Sequence, residues 1–285
     1  MSDTPNSADS LQRFSFDNTN IRGELAHVNA SYREVLKRHQ YPTRIAKAVG
    51  ELMAATALLS ANLKFTGRLT LQIRLPGNIS LLQAETSDKG QLRAIARYEE
   101  GTEESELSFD DGQMIITVEP EVGQRYQGIT LIKGGNVAGA LEDYFEQSEQ
   151  LGSRFWLACD GQNAAGFMLQ QMPSEQSDDP DAWDRLTHLA STIKEEELIN
   201  LNNDVLLHRL YHEEEVRTYP ASDLSFFCTC SKDRIGNALH QLGKDELMQI
   251  IEEQGKISIN CDFCKQAYSF DKEQVNELFP EQNLQ

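Results

Sequence analysis

The sequence lacks any run of about 18 apolar residues, the length needed to cross the apolar core of a bilayer. It therefore predicts no membrane-spanning helix. The first ten residues, MSDTPNSADS, also lack the basic start and the apolar stretch of a secretory signal. We therefore expect a cytoplasmic protein, in a compartment where thiols are kept reduced.

Positive charge is scarce as well. The 285-residue chain has 26 Lys and Arg against 45 Asp and Glu, so its formal net charge is −19. Nucleic acids and anionic membranes are bound largely through positive charge, which this field opposes. We therefore expect neither nucleic acid nor a membrane as a partner. Apolar residues, at 39% of the chain, are numerous enough to bury a core, so wholesale disorder is excluded.

Cysteine is rare, with five residues in all, but four of them lie in the last fifth of the chain. They form a C-x-C motif and, after a gap of thirty residues, a C-x-x-C motif: Cys228, Cys230, Cys261 and Cys264. Four thiolates can surround Zn²⁺ tetrahedrally, and such a closed shell is typical of a structural site. The sequence therefore predicts one zinc ion per chain and indicates no catalytic residue and no further cofactor site.

The same spacing is suited to redox chemistry. Within each motif the two thiols are near enough to oxidise together if the metal leaves. A disulfide across C-x-C closes a small, strained ring, and strained disulfides are the labile, regulatory ones. The site can thus be a zinc clamp when reduced and can hold two disulfides when oxidised.

Residues 1–175 have the pattern of a mostly antiparallel α+β domain, with consecutive strands and helices grouped apart. Helical periodicity predicts helices over Ala30–His39, Thr43–Lys64 and Val137–Gln147, the last of which Asn136 can cap. We expect the first strand at Ile21–Val28. Further strands are expected at Leu69–Leu75, Ile79–Glu85, Leu92–Tyr98, Met114–Glu119, Gly128–Ile132, Phe155–Cys159 and Gly166–Gln171.

Residues 176–226, here called the linker segment, differ in composition. Between Glu175 and Arg217 there are twelve acidic and four basic residues, a net charge of −8. Helical patterns are nonetheless present, with apolar stripes at Trp183, Leu186, Ala190 and Ile193 and at Leu206, Leu210 and Tyr211. Isolated short helices are marginal and like charges oppose them, so we expect a helical but metastable linker that depends on docking its apolar stripes.

Residues 227–285 have the pattern of a small α+β domain. Ser231 can cap a helix, Asp245 can start a second one, and Asp271 with Gln274 resembles a capping box before a third. Between them, a predicted hairpin carries Cys261 and Cys264 at its turn. A domain this small buries little apolar area and usually needs a metal or a cross-link.

The motifs resemble those of the 33-kilodalton redox-regulated heat-shock chaperones of the bacterial cytosol. The likeness lies in the C-x-C motif, the thirty-residue gap, CDFC and the flanking SKDRIGNAL and YSFD. It extends to GELMAATALLSANLKFTG (50–67), YFEQSEQ (144–150) and GFMLQQMP (166–173), so it covers nearly the whole chain.

This resemblance implies an ATP-independent, non-enzymatic holdase that is inactive while reduced and zinc-bound. Oxidation by hypochlorite, or by peroxide with heat, would activate it through the disulfides Cys228–Cys230 and Cys261–Cys264. The implied partners are unfolding client proteins, and the implied active form is a homodimer. A switch role for the linker segment is likewise implied by the family, against the simpler interpretation that it is a solvated spacer.

Two other functions remain as alternatives. A thiol–disulfide oxidoreductase could use Cys261 and Cys264, although its C-x-x-C motif is typically found next to a βαβ unit, which the pattern here does not predict. A zinc-ribbon adaptor could bind a protein or nucleic acid, although the net charge opposes nucleic acid.

Four further groups are predicted to be structural. Cys159 is interpreted as a small buried hydrophobe. His208 and His212 are interpreted as a solvated helix face, because no Glu follows His208 as in a zincin. Gly134-Gly135-Asn136 lacks the Lys and Ser/Thr of a P-loop, and so do Gly243-Lys244 and Gly255-Lys256.

Overall fold

The computed structural model describes residues 8–61, 66–102, 107–133, 135–173 and 179–279. The chain divides between Phe227 and Cys228 into two units, the first unit (Met1–Phe227) and the cysteine unit (Cys228–Gln285). In both units helices pack on mostly antiparallel sheets, so the predicted α+β class is confirmed.

The first unit contains two six-stranded sheets. One has the strand order β10-β1-β2-β9-β8, with β11 also paired to β1. Its strands are β1 (Ser10–Phe16), β2 (Ile21–His27), β8 (Ser153–Cys159), β9 (Ala164–Gln171), β10 (Val216–Thr218) and β11 (Ser222–Asp223). The second has the order β12-β5-β4-β3-β6-β7. Its strands are β3 (Gly67–Arg74), β4 (Ile79–Ser87), β5 (Gln91–Tyr98), β6 (Gln113–Pro120), β7 (Tyr126–Leu131) and β12 (Ser225–Phe226).

A long helix lies between the two sheets. This helix, α2 (Thr43–Ser60), has 13 of its 18 residues buried and contacts strands of both sheets. Its Ala and Gly residues let the sheets approach closely: a Cβ at Gly50 would lie 2.6 Å from Cys159 Sγ. Two shorter helices, α1 (Asn29–Leu36) and α3 (Val137–Tyr144), complete this layer, and a π-helical turn (Phe145–Glu149) continues α3. The predicted Asn136 cap is confirmed, since its side chain accepts the Gly139 amide; Gly134 lies outside the described residues.

Three helices of the linker segment form a further layer on the first sheet. They are α4 (Ala182–Ala190), α5 (Glu195–Asn200) and α6 (Asn203–Tyr211). Their apolar residues share one buried cluster with side chains of the sheet, among them Phe14, Phe16 and Phe167. The apolar stripes of the linker helices are thus docked on the first sheet, as expected, and the docked helices belong to the first unit.

The cysteine unit has three helices and one hairpin. The helices are α7 (Lys232–His240), α8 (Lys244–Gln254) and α9 (Lys272–Leu278), and the hairpin pairs β13 (Ile257–Asn260) with β14 (Ala267–Phe270). Ser231 caps α7, and the Asp271–Gln274 capping box is formed on α9. The Ser231 cap, the hairpin and the capping box are therefore confirmed, whereas the second helix begins at Lys244, one residue before the predicted Asp245, with Gly243 as its N-cap.

Four strands were not expected from the sequence: β1, β10, β11 and β12. The first strand is β1, which precedes the predicted one at Ile21. Its apolar residues are buried on both faces, since Leu11 belongs to the core around α2 whereas Phe14 and Phe16 belong to the cluster beneath the linker helices. A strand buried on both faces does not alternate, so periodicity alone misses it. Within the described ranges, no helix has the length and apolarity needed to cross a membrane.

Candidate metal and redox centre

The four C-terminal cysteines meet in one place. Cys228 and Cys230 lie on the segment that leads into α7, and Cys261 and Cys264 lie at the turn between β13 and β14. All four sulfurs lie within 4.8 Å of one another. No other group of three or more His, Cys, Asp or Glu side chains in the described part of the chain is close enough to hold a metal ion.

The hairpin turn is shaped around its two cysteines. The Lys265 amide donates to the Cys261 carbonyl at 2.8 Å, and the Cys261 amide donates to the Gln266 carbonyl at 2.9 Å. Lys265 adopts a positive φ of 60°, which is uncommon for a residue with a Cβ and closes the turn tightly. The amides of Phe263 and Cys264 point at Cys261 Sγ, and the amide of Gln266 points at Cys264 Sγ. The turn therefore offers two sulfurs together with backbone donors that would stabilise them as thiolates.

The spacing of the sulfurs fits a tetrahedral ion. Cys228 Sγ lies 3.7 Å from Cys261 Sγ, and Cys230 Sγ lies 3.3 Å from Cys264 Sγ. With metal–sulfur bonds of about 2.3 Å, a regular tetrahedron separates its sulfurs by about 3.8 Å. In a tetrahedron all six separations are alike, so these distances by themselves do not select a disulfide pairing.

The electrostatics of the four thiols also favour a cation. Burial, together with the neighbouring sulfurs, raises the pKa of Cys264 to about 12. Burial likewise raises the pKa of Cys261, in spite of the amides that stabilise its thiolate. Thiols packed this closely resist ionising on their own, whereas a divalent ion would deprotonate them. The residues present therefore fit a Cys₄ metal site, and four sulfur donors favour Zn²⁺.

A side chain outside the cysteine motifs also reaches the centre. The Tyr268 hydroxyl lies 3.2 Å from Cys230 Sγ. No sequence motif marks Tyr268 as part of the centre, although YSF continues the hairpin and the period of two places Tyr268 on the same face as buried Phe270. Nearby, Arg234 donates to the Thr229 carbonyl at 3.0 Å, which ties α7 to the C-x-C segment.

The other sequence candidates belong to the first unit. Cys159 is buried in the first unit, as predicted, and burial raises the pKa of its thiol. His208 on α6 and His212 at its C-cap are exposed, with ring centroids 5.9 Å apart, as predicted for a solvated face. Neither Cys159 nor the His pair takes part in a group of potential metal ligands.

The first unit, with its two sheets and docked linker helices, and the four converging cysteines together define a class: an α+β protein of two units whose C-terminal unit carries a candidate metal site. Comparison with known proteins agrees with this class. The family model described as "Hsp33 protein" matches residues 9–271. A protein named 33 kDa chaperonin from Pseudomonas savastanoi pv. phaseolicola is 46% identical over 288 residues, covering 98% of this chain and 96% of that protein. A 33 kDa chaperonin from Azotobacter vinelandii is 45% identical over 281 residues, covering 95% of this chain and 94% of that protein.

The chain therefore belongs to the Hsp33 family, and a chaperone function follows from that membership. The resemblance found in the sequence is thus confirmed. Among solved structures, the crystal structure of the 33 kDa chaperonin from Thermotoga maritima matches with a TM-score of 0.78, covering 94% of this chain and 97% of that one. At 20% sequence identity, this match supports the fold alone.

Proposed function

We propose that this protein is a redox-regulated, ATP-independent holdase that binds unfolding proteins and prevents their aggregation under oxidative and heat stress. It is inactive while reduced and zinc-bound, and it is activated when the four cysteines form disulfides and release zinc. The observation that carries the proposal is the convergence of four sulfurs within 4.8 Å, in a chain of a chaperone family.

Bound zinc would supply most of the folding free energy of the cysteine unit. The described residues of this unit bury one cluster of six apolar side chains: Leu239, Leu247, Ile251, Ile257, Phe270 and Val275. Structural zinc in small domains supplies an apparent ~10–16 kcal/mol at neutral pH, comparable with the whole folding free energy of such a domain. Loss of the metal is therefore expected to unfold this unit.

The oxidation is balanced by peroxide alone. Two thiolates form one disulfide and give up two electrons, which reduce one hydrogen peroxide to two hydroxide ions. Two peroxides thus convert four thiolates into two disulfides and free one Zn²⁺. Following the family resemblance, we assign the disulfides to Cys228–Cys230 and Cys261–Cys264. Neither disulfide needs ATP or another nucleotide in order to form.

The linker segment is the proposed bistable element. Its last strand, β12, pairs in parallel with β5, and the Phe227 amide donates to the Leu92 carbonyl at 3.0 Å. Cys228 follows directly, so unfolding that begins at the metal ligands reaches these hydrogen bonds through one peptide bond. The linker's short helices and excess of acidic groups leave it dependent on docking. Its undocking would offer clients the apolar cluster that α4–α6 share with the first sheet.

We further propose that the active form is a homodimer and that the protein works in the cytoplasm. The net charge of −19 supports clients that are proteins and opposes nucleic acid and membranes as partners. The oxidoreductase alternative is less well supported, because the C-x-x-C motif lies at the turn of a two-stranded hairpin and lacks a βαβ setting in the described part of the unit.

One experiment tests this function. Suppression of client aggregation is measured with the full chain before and after peroxide at elevated temperature, while zinc release is followed with a chromogenic chelator. We expect activity to rise together with zinc release. Activity that is highest in the zinc-bound form would refute the proposal in favour of an adaptor, and catalytic reduction of insulin would favour the oxidoreductase.

The metal site is tested separately by replacing each cysteine with serine. We expect every single variant to bind zinc much more weakly, because the remaining shell is open and a hydroxyl is a poor zinc ligand. Metal analysis of purified protein measures this, with Cys159→Ser as the matched control. Full zinc retention by any of the four variants would remove that residue from the site.

A further inference from the structure

Tyr268 brings a hydroxyl group to the sulfur of Cys230. The register of the hairpin places it there: Ile259 lies opposite Tyr268 and Ile257 opposite Phe270, so these four side chains share the inner face. Ser269 points to the other face and is exposed. At 3.2 Å, the distance from the Tyr268 oxygen to Cys230 Sγ is that of a hydrogen bond to sulfur. A thiolate has no proton to give, so in a zinc-bound centre the tyrosine hydroxyl is the donor.

The donors to the C-x-x-C sulfurs are of a different kind. Cys261 Sγ and Cys264 Sγ face amides of the turn itself. Such amides accompany any chain that adopts this turn, whereas the donor to Cys230 depends on the identity of a single side chain. The hydrogen bond to Cys230 can therefore be removed without altering the backbone around the centre.

We propose that Tyr268 is a positioning residue that acts through Cys230, slowing the attack of its sulfur on oxidants and thereby raising the oxidant level at which the Cys228–Cys230 disulfide forms. The inference rests on the proposed redox function. Hydrogen bonds to metal-bound sulfur withdraw electron density from it, and partners of the ligands tune the properties of metal sites. A sulfur that shares its lone pair with a donor is a weaker nucleophile.

The affected step is the attack of Cys230 on the oxidant. The Cys230 sulfur attacks one oxygen of hydrogen peroxide, the O–O bond breaks, and the products are a sulfenic acid and hydroxide. A second cysteine thiolate then attacks the sulfenic sulfur, forms the disulfide and displaces another hydroxide. In the affected step the Cys230 sulfur loses its negative charge as the S–O bond forms, so the Tyr268 hydrogen bond must weaken as the reaction proceeds.

The test compares zinc-loaded full-length wild type, Tyr268→Phe and the control Ser269→Ala. The Phe variant keeps the ring and loses only the hydroxyl, and the control loses a hydroxyl from the next residue of the same strand on the opposite face. Two rates are measured: zinc release at a fixed peroxide concentration, and alkylation of each cysteine by iodoacetamide, resolved by mass spectrometry. We expect iodoacetamide to alkylate Cys230 about fivefold faster in Tyr268→Phe than in the wild type, equivalent to the ~1 kcal/mol typical of one hydrogen bond. Cys264 should change less than about twofold.

Three results would overturn the inference. The first is equal rates at Cys230 in Tyr268→Phe and wild type. The second is equal acceleration at all four cysteines, which would mean that the variant merely loosens the hairpin. The third is the same acceleration in Ser269→Ala. Should Tyr268→Phe not fold, 3-fluorotyrosine at position 268 provides a stronger donor and must slow the modification of Cys230.

These readouts also separate the inference from the proposed function. If the wild type releases zinc under peroxide but gains no chaperone activity, the proposed function fails while the effect of Tyr268 on Cys230 can still be measured. If the wild type becomes an active chaperone but the variant oxidises at the same rate, only the role of Tyr268 fails.

Discussion

Truncation of one buried leucine in the linker segment should separate its docking from the folding of the first unit. Leu206 on α6 is fully buried in the cluster that the linker helices share with the first sheet. A Leu→Ala change at such a site costs about 2–5 kcal/mol, from lost burial and from the cavity left behind. Taking ~3 kcal/mol, and 1.4 kcal/mol for each factor of ten, Leu206→Ala should raise the undocked population about a hundredfold.

Hydrogen exchange of backbone amides measures this population directly, because amides of α4–α6 exchange when these helices undock. We expect their exchange to accelerate about a hundredfold in the reduced, zinc-bound variant, while the amides of α2 accelerate far less. Val205→Ala is the matched control, since Val205 lies on the same helix and is 46% exposed. Its effect should stay below about 1 kcal/mol, or less than about fivefold in exchange. The Leu206 variant should also suppress client aggregation with less oxidant than the wild type needs.

The reasoning would be refuted if α2 and the linker helices accelerated equally in Leu206→Ala. The segment would then unfold only together with the first unit, and it could not serve as a separate bistable element. Strong acceleration in the linker without any gain in chaperone activity would keep the docking argument and exclude the linker as the switch.

Three further predictions concern other residues. The Cys261–Cys264 disulfide should form at a lower oxidant concentration than Cys228–Cys230, because a C-x-x-C turn accepts a disulfide with less strain. Mass mapping of partly oxidised protein tests this, and an early species holding only the Cys228–Cys230 disulfide would contradict it. Burial raises the pKa of Glu24 from 4.5 to about 7, and Arg22, which lies 3.6 Å from the carboxylate without a hydrogen bond, offsets this rise only in part. Between those values the folded unit holds the extra proton, so this contribution to stability is present below pH 4.5 and is lost as the pH rises through 7. Glu24→Gln should therefore be more stable than the wild type at pH 8, by about 1–3 kcal/mol in urea unfolding, and similar to it at pH 4.5; an unchanged difference across this range would refute the argument. Burial lowers the pKa of His27, whose Nε2 lies 3.1 Å from Asn203 Oδ1 on α6. The contribution of the neutral ring to stability is therefore present above pH 6.5 and is lost below it. Linker amides should exchange faster at pH 5.5 than exchange chemistry alone requires, and His27→Gln should lessen this effect.

Several features of the protein could be predicted because they depend on neighbouring residues. The spacing of the cysteines determines that each motif can offer two sulfurs to one ion, and the structure adds that the two motifs meet. Ser231 and the Asp271–Gln274 pair cap their helices through contacts that span three residues. Strand β3 was predicted for the same reason, since Leu69, Leu71 and Ile73 recur at every second position.

Other features depend on residues that are far apart in the chain, and only the tertiary structure decided them. Strand β1 is buried on both faces because the core around α2 covers one face and the linker helices cover the other, while β10, some 200 residues later, pairs with its edge. The linker's position on the first sheet depends on apolar surface that no local pattern marks as available. The contact of Tyr268 with Cys230 joins residues 38 apart across a hairpin and a turn. Local propensity and periodicity act over a few residues, whereas burial and hydrogen bonding to sulfur depend on which surfaces finally meet. The sequence by itself therefore determined the four candidate metal ligands, and the fold decided which side chains and amides surround them.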